Sequence, residues 1–232
     1  MNPTSKTTIV RAVWHLDSLC RLIQQALTMQ PDNLPIVETF HSVQGEGAWM
    51  GANAFFIRLA GCDVGCPWCD TKISWNVKKH PHMAIADLVM TALNAKPAIV
   101  VITGGEPLMH DLSELTRQLK AQGLRVHLET SGSHTFSGDF DWVTFSPKQF
   151  KQPHDSIYAQ VSELKVVIKD ESDLIFAEQQ AARVASNVGA NVLQYLQAEW
   201  ETFSSKDLVL QYVLSHPDWR VSIQTHKLLG VR

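Results

Sequence analysis

The sequence predicts an α/β fold: a reduced, open parallel (β/α) barrel of about six strands with three or four covering helices. Three observations carry this. From residue 53 onward, short apolar runs alternate with segments of helical period, which implies right-handed crossovers and a mostly parallel sheet. The run 98–103 (AIVVIT) is apolar throughout, the pattern of a strand covered on both faces. The connections 131–140 and 147–162 are too polar and too short for covering helices, so the complete eightfold barrel is not expected.

Taken in order, residues 53–61 (NAFFIRLAG) read as a buried strand bounded by Asn53 and Gly61. Residues 83–95 carry apolar side chains at helical spacing, and the strand 98–103 ends in Gly104-Gly105. Residues 110–123 read as a helix stopped by Gly123. Strands follow at 124–130, 141–146 and 163–168, a helix at 173–186, a strand at 190–197, a helix at 204–216 and a last strand at 219–224. Internal repeats and low-complexity tracts are absent from the sequence.

Residues 1–34 stand apart as an N-terminal appendage to a domain at 35–232. Within it, 12–28 predicts an amphipathic helix, and Pro31, Asp32, Asn33 and Pro35 predict a loop. His15, Asp17, Arg21 and Gln24 interrupt the helix too often for a signal-peptide core. An organelle presequence remains one reading, and Met29 is a candidate start.

The chain is 45% hydrophobic, enough for one sizeable core, and its net charge of −3 offers no basic excess for wholesale nucleic-acid binding. The sequence holds no uninterrupted apolar run of the roughly 18 residues a membrane span needs. Its four cysteines lack the density of a disulfide scaffold, and clustered thiols read as metal-binding or catalytic in a reducing cytosol.

Chemistry in folds of this class gathers at the C-terminal ends of the strands. The motifs fall there: Cys62 after the first strand read, Gly104-Gly105 after the second, Glu129 to Gly132 after the third, Ser146 to Lys148 after the fourth. Cys62, Cys66 and Cys69 form a tight C-x3-C-x2-C loop, able to grip three corners of one compact cluster. A structural zinc normally takes two ligand pairs well apart, and a [4Fe–4S] cube closed by protein needs four cysteines. With three, one iron keeps an open position for a substrate or cofactor. Gly61 and Gly65 let the backbone approach such a core closely. Zinc stays open as an alternative, with Cys20, His80 or His82 as fourth ligand.

This spacing, with Trp68 before the last cysteine and TGGEP at 103–107, resembles the signature of radical S-adenosylmethionine enzymes. The resemblance implies a [4Fe–4S] cluster on Cys62, Cys66 and Cys69, its open iron chelated by S-adenosylmethionine, and a 5′-deoxyadenosyl radical formed by one electron. It implies cofactor contacts at Trp68, Cys69, Asp70, Gly105, Glu106, Glu129, Ser131, Ser146, Pro147 and Lys148. A further set is implied at Gln194, Tyr195, Leu196 and Gln197, where this chain lacks the proline that many relatives carry after the glutamine.

The flanking motifs narrow the family. TFHSVQGEGAWMG (39–51), FIRLAGC (56–62), CDTK (69–72), SPK (146–148) and IQTHK (223–227) are similar to the 7-carboxy-7-deazaguanine synthase family, from about Pro35 to the end. That resemblance implies a lyase converting 6-carboxy-5,6,7,8-tetrahydropterin to 7-carboxy-7-deazaguanine with loss of ammonia, in queuosine biosynthesis. It also implies a magnesium ion, a homodimer, a flavodoxin- or ferredoxin-like electron donor and a cytoplasmic location. For such a substrate, Arg58 suits a carboxylate clamp through two parallel hydrogen bonds. Gln44 and Glu46 suit the N–H donors of the aminopyrimidinone edge, with the Val43, Gly45 and Gly47 backbone close to the flat ring. Thr71 supplies an oxygen for magnesium, Thr103 a further substrate contact, and His226 a cover. Two rival readings remain: a glycyl-radical-enzyme activase, which has no use for Gln44 to Gly47 or Arg58, and a non-catalytic iron–sulfur or zinc module, which has none for TGGEP.

Overall fold

The structure is a computed structural model and describes residues 33–189 and 191–232. The amphipathic segment 12–28, Met29 and Cys20 lie outside the described residues.

One nine-stranded sheet organises these residues in the order β3-β1-β2-β4-β5-β6-β7-β8-β9. The parallel set is β2 (Asn53–Leu59), β4 (Ile99–Gly104), β5 (Val126–Thr130), β6 (Trp142–Phe145), β7 (Glu163–Ile168), β8 (Leu193–Ala198) and β9 (Trp219–Ser222). It has seven members where about six were expected. The sheet is not closed by hydrogen bonds, since β3 and β9 end the order. Two antiparallel strands, β1 (Asn33–Val43) and β3 (His82–Ala84), extend it beyond β2. Neither was legible beforehand. Asn33 and Pro35 read as turn residues, yet both sit in β1, where the Pro35 carbonyl accepts from Ala60 N–H at 2.9 Å. The sheet's first strand therefore begins two residues inside the expected appendage.

Helices α1 (Ile85–Ala95), α2 (Ser113–Ala121), α3 (Glu171–Val188) and α4 (Phe203–Ser215) follow the pattern read from the sequence, and a short α5 (Thr225–Leu229) is added after β9. α1 buries Ile85, Leu88, Val89 and Ala92, an i, i+3, i+4, i+7 stripe. α3 opens on a capping box, Asp170 accepting from Ser172 N–H and Asp173 reaching back to Asp170 N–H. The connections 131–141 and 146–162 carry no α-helix; instead the latter folds Ile157 and Tyr158 into the core, Tyr158 standing edge-on to Phe145 at 5.4 Å.

Strand periodicity separates two chemistries. Phe55, Ile57 and Leu59 of β2, Val100 and Ile102 of β4, Leu128 of β5, and Leu164, Val166 and Ile168 of β7 join the helices in one apolar core. Burying each such side chain stabilises by roughly 1.5–3 kcal/mol. The alternate positions Arg58, Thr103, Glu129, Lys165 and Gln197 face a cleft at the C-terminal ends of the strands. The hairpin joining β1 to β2 adds Gln44 to Glu46 to that cleft. Its base is closed by Gln44 N–H to Ala52 O at 2.8 Å and Gly51 N–H to Gln44 O at 2.7 Å.

Candidate active site

The cleft measures about 440 Å³. One wall is the loop after β2. Gly61 turns it with φ +109°, and the returning segment pins it through Gly61 N–H to Ser74 O at 2.6 Å and Cys62 N–H to Trp75 O at 3.3 Å. The loop after β4 packs directly on this turn. Gly105 N–H reaches Leu59 O at 3.0 Å and Glu106 N–H reaches Gly61 O at 2.7 Å. A Cβ on Gly105 would stand 2.2 Å from Gly61 O and 2.7 Å from Cys62 Cβ, and one on Gly104 2.3 Å from Leu59 O. The two glycines are thus required by the close approach of two motifs forty residues apart in sequence.

Cys62, Cys66 and Cys69 all line this wall as free thiols, Cys66 buried and the others half-buried. Burial pushes the Cys66 thiol up to about 11, the neighbouring thiols adding to it and Lys148 opposing. Burial also raises Cys62. Thiolate ligation by a polynuclear metal group would relieve that penalty. Three thiols on a glycine-turned loop, facing a cleft with room for a further ligand, fit such a group. Among the described residues no set of three His, Cys, Asp or Glu converges on a single-ion position. His80 and His82 are absent from the cleft lining, and His80 Nε2 meets Ile73 O at 2.8 Å instead.

Trp68, Asp70, Gly105, Glu129, Ser131, Ser146, Lys148 and Gln197 also line the cleft. Lys148 donates to Ser146 O and Oγ, both at 2.6 Å, and its ammonium lies 5.7 Å over the Trp68 ring. Burial lowers its pKa.

Five other residues expected there turn elsewhere. The Glu106 carboxylate is buried and saturated: it accepts from Leu108 N–H, Thr130 Oγ1, Ser131 N–H and Ser131 Oγ, tying the loop after β4 to the end of β5. Pro147 does not line the cleft. In β8, Leu196 belongs to the apolar core and Gln194 lines a separate surface recess beside α3. Tyr195 is buried two residues below Gln197 on the same face, so only Gln197 reaches the cleft.

The opposite wall is polar and assembled from scattered elements. Gln44 Nε2 donates to Glu129 Oε1 at 2.7 Å, and Glu46 N–H donates to Gln44 Oε1 at 3.1 Å. The Glu46 carboxylate accepts from Gln224 Nε2 at 2.8 Å, from Gln197 Nε2 at 3.3 Å and from the Lys165 ammonium. Lys165 also reaches Glu129 Oε2 at 3.4 Å. Glu163 accepts from Ala48 N–H at 2.9 Å, and its carboxylate fills the space a Cβ on Gly47 would need, 2.0 Å away. Burial would raise Glu46, but the Lys165 charge and hydrogen bond outweigh it and hold Glu46 at about 2. Burial pushes Glu163 up to about 7, with Glu129 and Glu46 adding and Lys165 and Ala48 N–H opposing. Lys165 is raised against its own burial by the charges of Glu129, Glu46 and Glu163.

Sequence reasoning missed Lys165 and Glu163. The signal was present in ELKVVI, a buried strand carrying charge at two alternate positions.

Arg58 and Thr103 are direct partners in the β2–β4 register and both line the cleft. Arg58 Nε is held by Glu38 at 3.0 Å, which orients the guanidinium, and Glu38 also takes Arg232 at 2.8 Å. Val43, Gly45, Thr71 and His226 line the cleft as well. Thr71 Oγ1 donates to Asp70 at 3.0 Å, and Asp70 meets Lys227 at 3.2 Å. The C-terminal segment sits against the hairpin loop: Thr225 donates twice to Gly45 O, and a Cβ on Gly45 would meet His226 Nδ1 at 2.1 Å.

Comparison with known proteins adds to this geometry. Residues 56–152 match the Radical SAM superfamily. The chain is similar to the 7-carboxy-7-deazaguanine synthase of Synechocystis sp., 53% identical over 210 residues, covering 90% of this chain and 98% of that protein. It is 45% identical over 199 residues to that of Flavobacterium psychrophilum, covering 85% and 92%. It is 31% identical over 222 residues to that of Escherichia coli K12, covering 85% and 98%. Among solved structures, QueE from Escherichia coli matches with a TM-score of 0.72 at 29% identity, over 83% of this chain and 94% of that one.

Proposed function

Because this chain belongs to the 7-carboxy-7-deazaguanine synthase family of radical S-adenosylmethionine enzymes, we propose that it converts 6-carboxy-5,6,7,8-tetrahydropterin to 7-carboxy-7-deazaguanine with loss of ammonia. The family is one of queuosine biosynthesis, and its superfamily implies a [4Fe–4S] cluster and S-adenosylmethionine. The observation that supports the reading is a shared cleft: three thiols on one wall, and Arg58, Thr103, Gln44 and Glu46 on the other.

In this reading Cys62, Cys66 and Cys69 hold the cluster. When bound there, the cluster with S-adenosylmethionine would supply one-electron chemistry for hydrogen abstraction from the pterin. Trp68, Asp70, Gly105, Ser131, Ser146 and Lys148 would contact S-adenosylmethionine, with Glu106 and Thr130 bracing that side from behind; Gln197, expected there too, instead donates to Glu46. Arg58 holds the substrate carboxylate with its terminal nitrogens, its Nε being engaged by Glu38. Gln44 and Glu46 face the aminopyrimidinone edge, joined by Glu129, which was expected as a cofactor contact and which its bond to Gln44 draws to this side, and Val43, Gly45 and His226 cover it. Thr71 offers a neutral oxygen for magnesium beside the substrate carboxylate.

Membership also suggests a homodimer and a flavodoxin- or ferredoxin-like donor in the cytoplasm. Among the described residues no helix is long and apolar enough to cross a membrane. The division into an N-terminal appendage and a catalytic domain remains proposed, with Asn33 and Leu34 of β1 counted in the domain. Neither the activase nor the non-catalytic module gains support, since neither explains a charged wall facing the thiols.

The experiment is anaerobic turnover with the carboxytetrahydropterin, S-adenosylmethionine, magnesium and a reductant. The expected product is the deazapurine with release of ammonia. Formation of 5′-deoxyadenosine and methionine with no deazapurine would mean a different radical reaction.

A further inference from the structure

We infer that Lys165 and Glu163 on β7 are positioning residues that fix the carboxylates of Glu46 and Glu129, and the loop carrying Glu46, in the arrangement that reads the substrate's N–H edge. The inference rests on the reading above, in which that wall faces the pterin ring.

Four residues from three separate elements form a closed ring of contacts. Gln44 Nε2 donates to Glu129, Glu46 N–H donates to Gln44 Oε1, and Lys165 bridges Glu46 and Glu129. Lys165 is 3% exposed and Glu163 1%, so these two side chains are shielded from water. A buried ion cluster is a weak source of stability, because desolvation offsets its attraction and an apolar replacement can be as stable. Positioning explains it better here. The two carboxylates arrive from opposite sides, one on the hairpin loop and one on β5, and their like charges would separate them. A single ammonium between them removes that tendency and restricts each to one orientation. A carboxylate offers about four lone-pair sites. Gln44, Gln197, Gln224 and Lys165 take some of them, and both carboxylates line the cleft with acceptor capacity left over. Glu163 completes the device from below. It grips Ala48 N–H and occupies the space beneath Gly47, so the turn that presents Glu46 is clamped to the same strand as Lys165. The consequence is specificity for a ring with adjacent N–H donors over one with acceptors at those positions, which would face a row of acceptors.

The test uses anaerobically reconstituted holoenzyme and the variants Lys165→Met, Lys165→Arg and Glu163→Ala. KM and kcat are measured for the pterin, equilibrium binding for 7-carboxy-7-deazaguanine, and cluster content and S-adenosylmethionine affinity as internal references. Lys165→Met should raise KM and weaken product binding by about tenfold or more, with kcat and S-adenosylmethionine affinity within about threefold. Lys165→Arg should recover most of that loss, because the cation stays. Glu163→Ala should shift KM in the same direction by a smaller factor. Should Lys165→Met not fold, Lys165→Gln, which loses the cation but keeps a hydrogen-bond donor, takes its place with the same expected and overturning results. Unchanged KM and product affinity in Lys165→Met would overturn the inference. So would an equal fall in S-adenosylmethionine affinity, which marks a general collapse, or an arginine variant as impaired as the methionine one. A wild-type protein that binds S-adenosylmethionine yet neither turns over the pterin nor binds the product would overturn the functional reading, and this inference with it.

Discussion

The two walls of the cleft are built by different means. The thiol wall comes from one loop, 61–71, held by backbone hydrogen bonds and by a glycine-to-glycine approach with no room for a Cβ. The opposite wall comes from the β1–β2 hairpin, β2, β4, β5, β7, β8 and the segment after β9, held by side-chain hydrogen bonds and buried charge. The first is a steric construction and tolerates almost no added volume. The second is an electrostatic one, sensitive to charge and pH and more forgiving of small changes in shape. In the proposed reading a cluster needs ligands at fixed spacing and a flat polar ring needs aligned donors and acceptors, and each wall suits the task proposed for it.

The sharpest test of the division is Cys66→Ala. Two thiols cannot hold the cluster, so visible absorbance and turnover should both disappear; normal turnover would refute the ligand assignment. Next comes Gly105→Ala. Its Cβ meets fixed backbone at 2.2 Å, so the loop must shift, at a cost of about 1–3 kcal/mol, and cluster content should fall before substrate is considered. Iron analysis showing a full cluster would dissolve the steric account of this wall. Arg58→Ala acts on the other side: KM for the pterin should rise about a hundredfold, the scale of a charged hydrogen-bonded pair, with cluster absorbance intact. An unchanged KM would remove the clamp. Gly45→Ala is the counterpart of Gly105→Ala. Its Cβ meets the His226 side chain from Nδ1 at 2.1 Å to Cβ at 3.0 Å, so the imidazole must swing and the C-terminal segment give slightly; KM should rise several-fold with the cluster retained. Equal damage from the two glycine variants would erase the contrast between the walls.

The smallest expected effect is on pH dependence. Glu163 is raised to about 7, with Lys165, Glu46 and Glu129 facing it from β7, the hairpin loop and β5. The folded protein therefore keeps a proton that the unfolded chain releases near the ordinary carboxylate value. Its contribution is complete below about 4.5 and is lost as pH rises through about 7, on the order of 3 kcal/mol. His127 runs the other way. Burial beside Arg125 lowers it to about 4, so stability is full above about 6.5 and falls as pH drops towards 4. Thermal melts of Glu163→Gln from pH 5 to 8 should show a flatter decline than wild type. Parallel curves would show that Glu163 does not titrate in this window.

Legibility followed the same line. The thiol wall was readable because its three cysteines lie within eight positions and its glycines mark turns by residue type alone. The parallel strands were readable because both faces are buried and their runs are apolar or β-branched. β1 was missed because Asn33 and Pro35 carry turn preferences that pairing with β3 overrides. Glu106 looked like part of a ligand loop, and only the approach of Thr130 and Ser131, 24 and 25 residues away, shows its carboxylate already occupied.

By itself the sequence determined the order of parallel strands, the family, and the three thiols, since each depends on residue type and short spacing. The tertiary structure alone decided which alternate residues of β7 and β8 face inward, and that Lys165 is shared by Glu46 and Glu129. The reason is physical: a strand presents two faces of equal claim, and which becomes the wall of a cleft depends on how the sheet curves and what packs behind it.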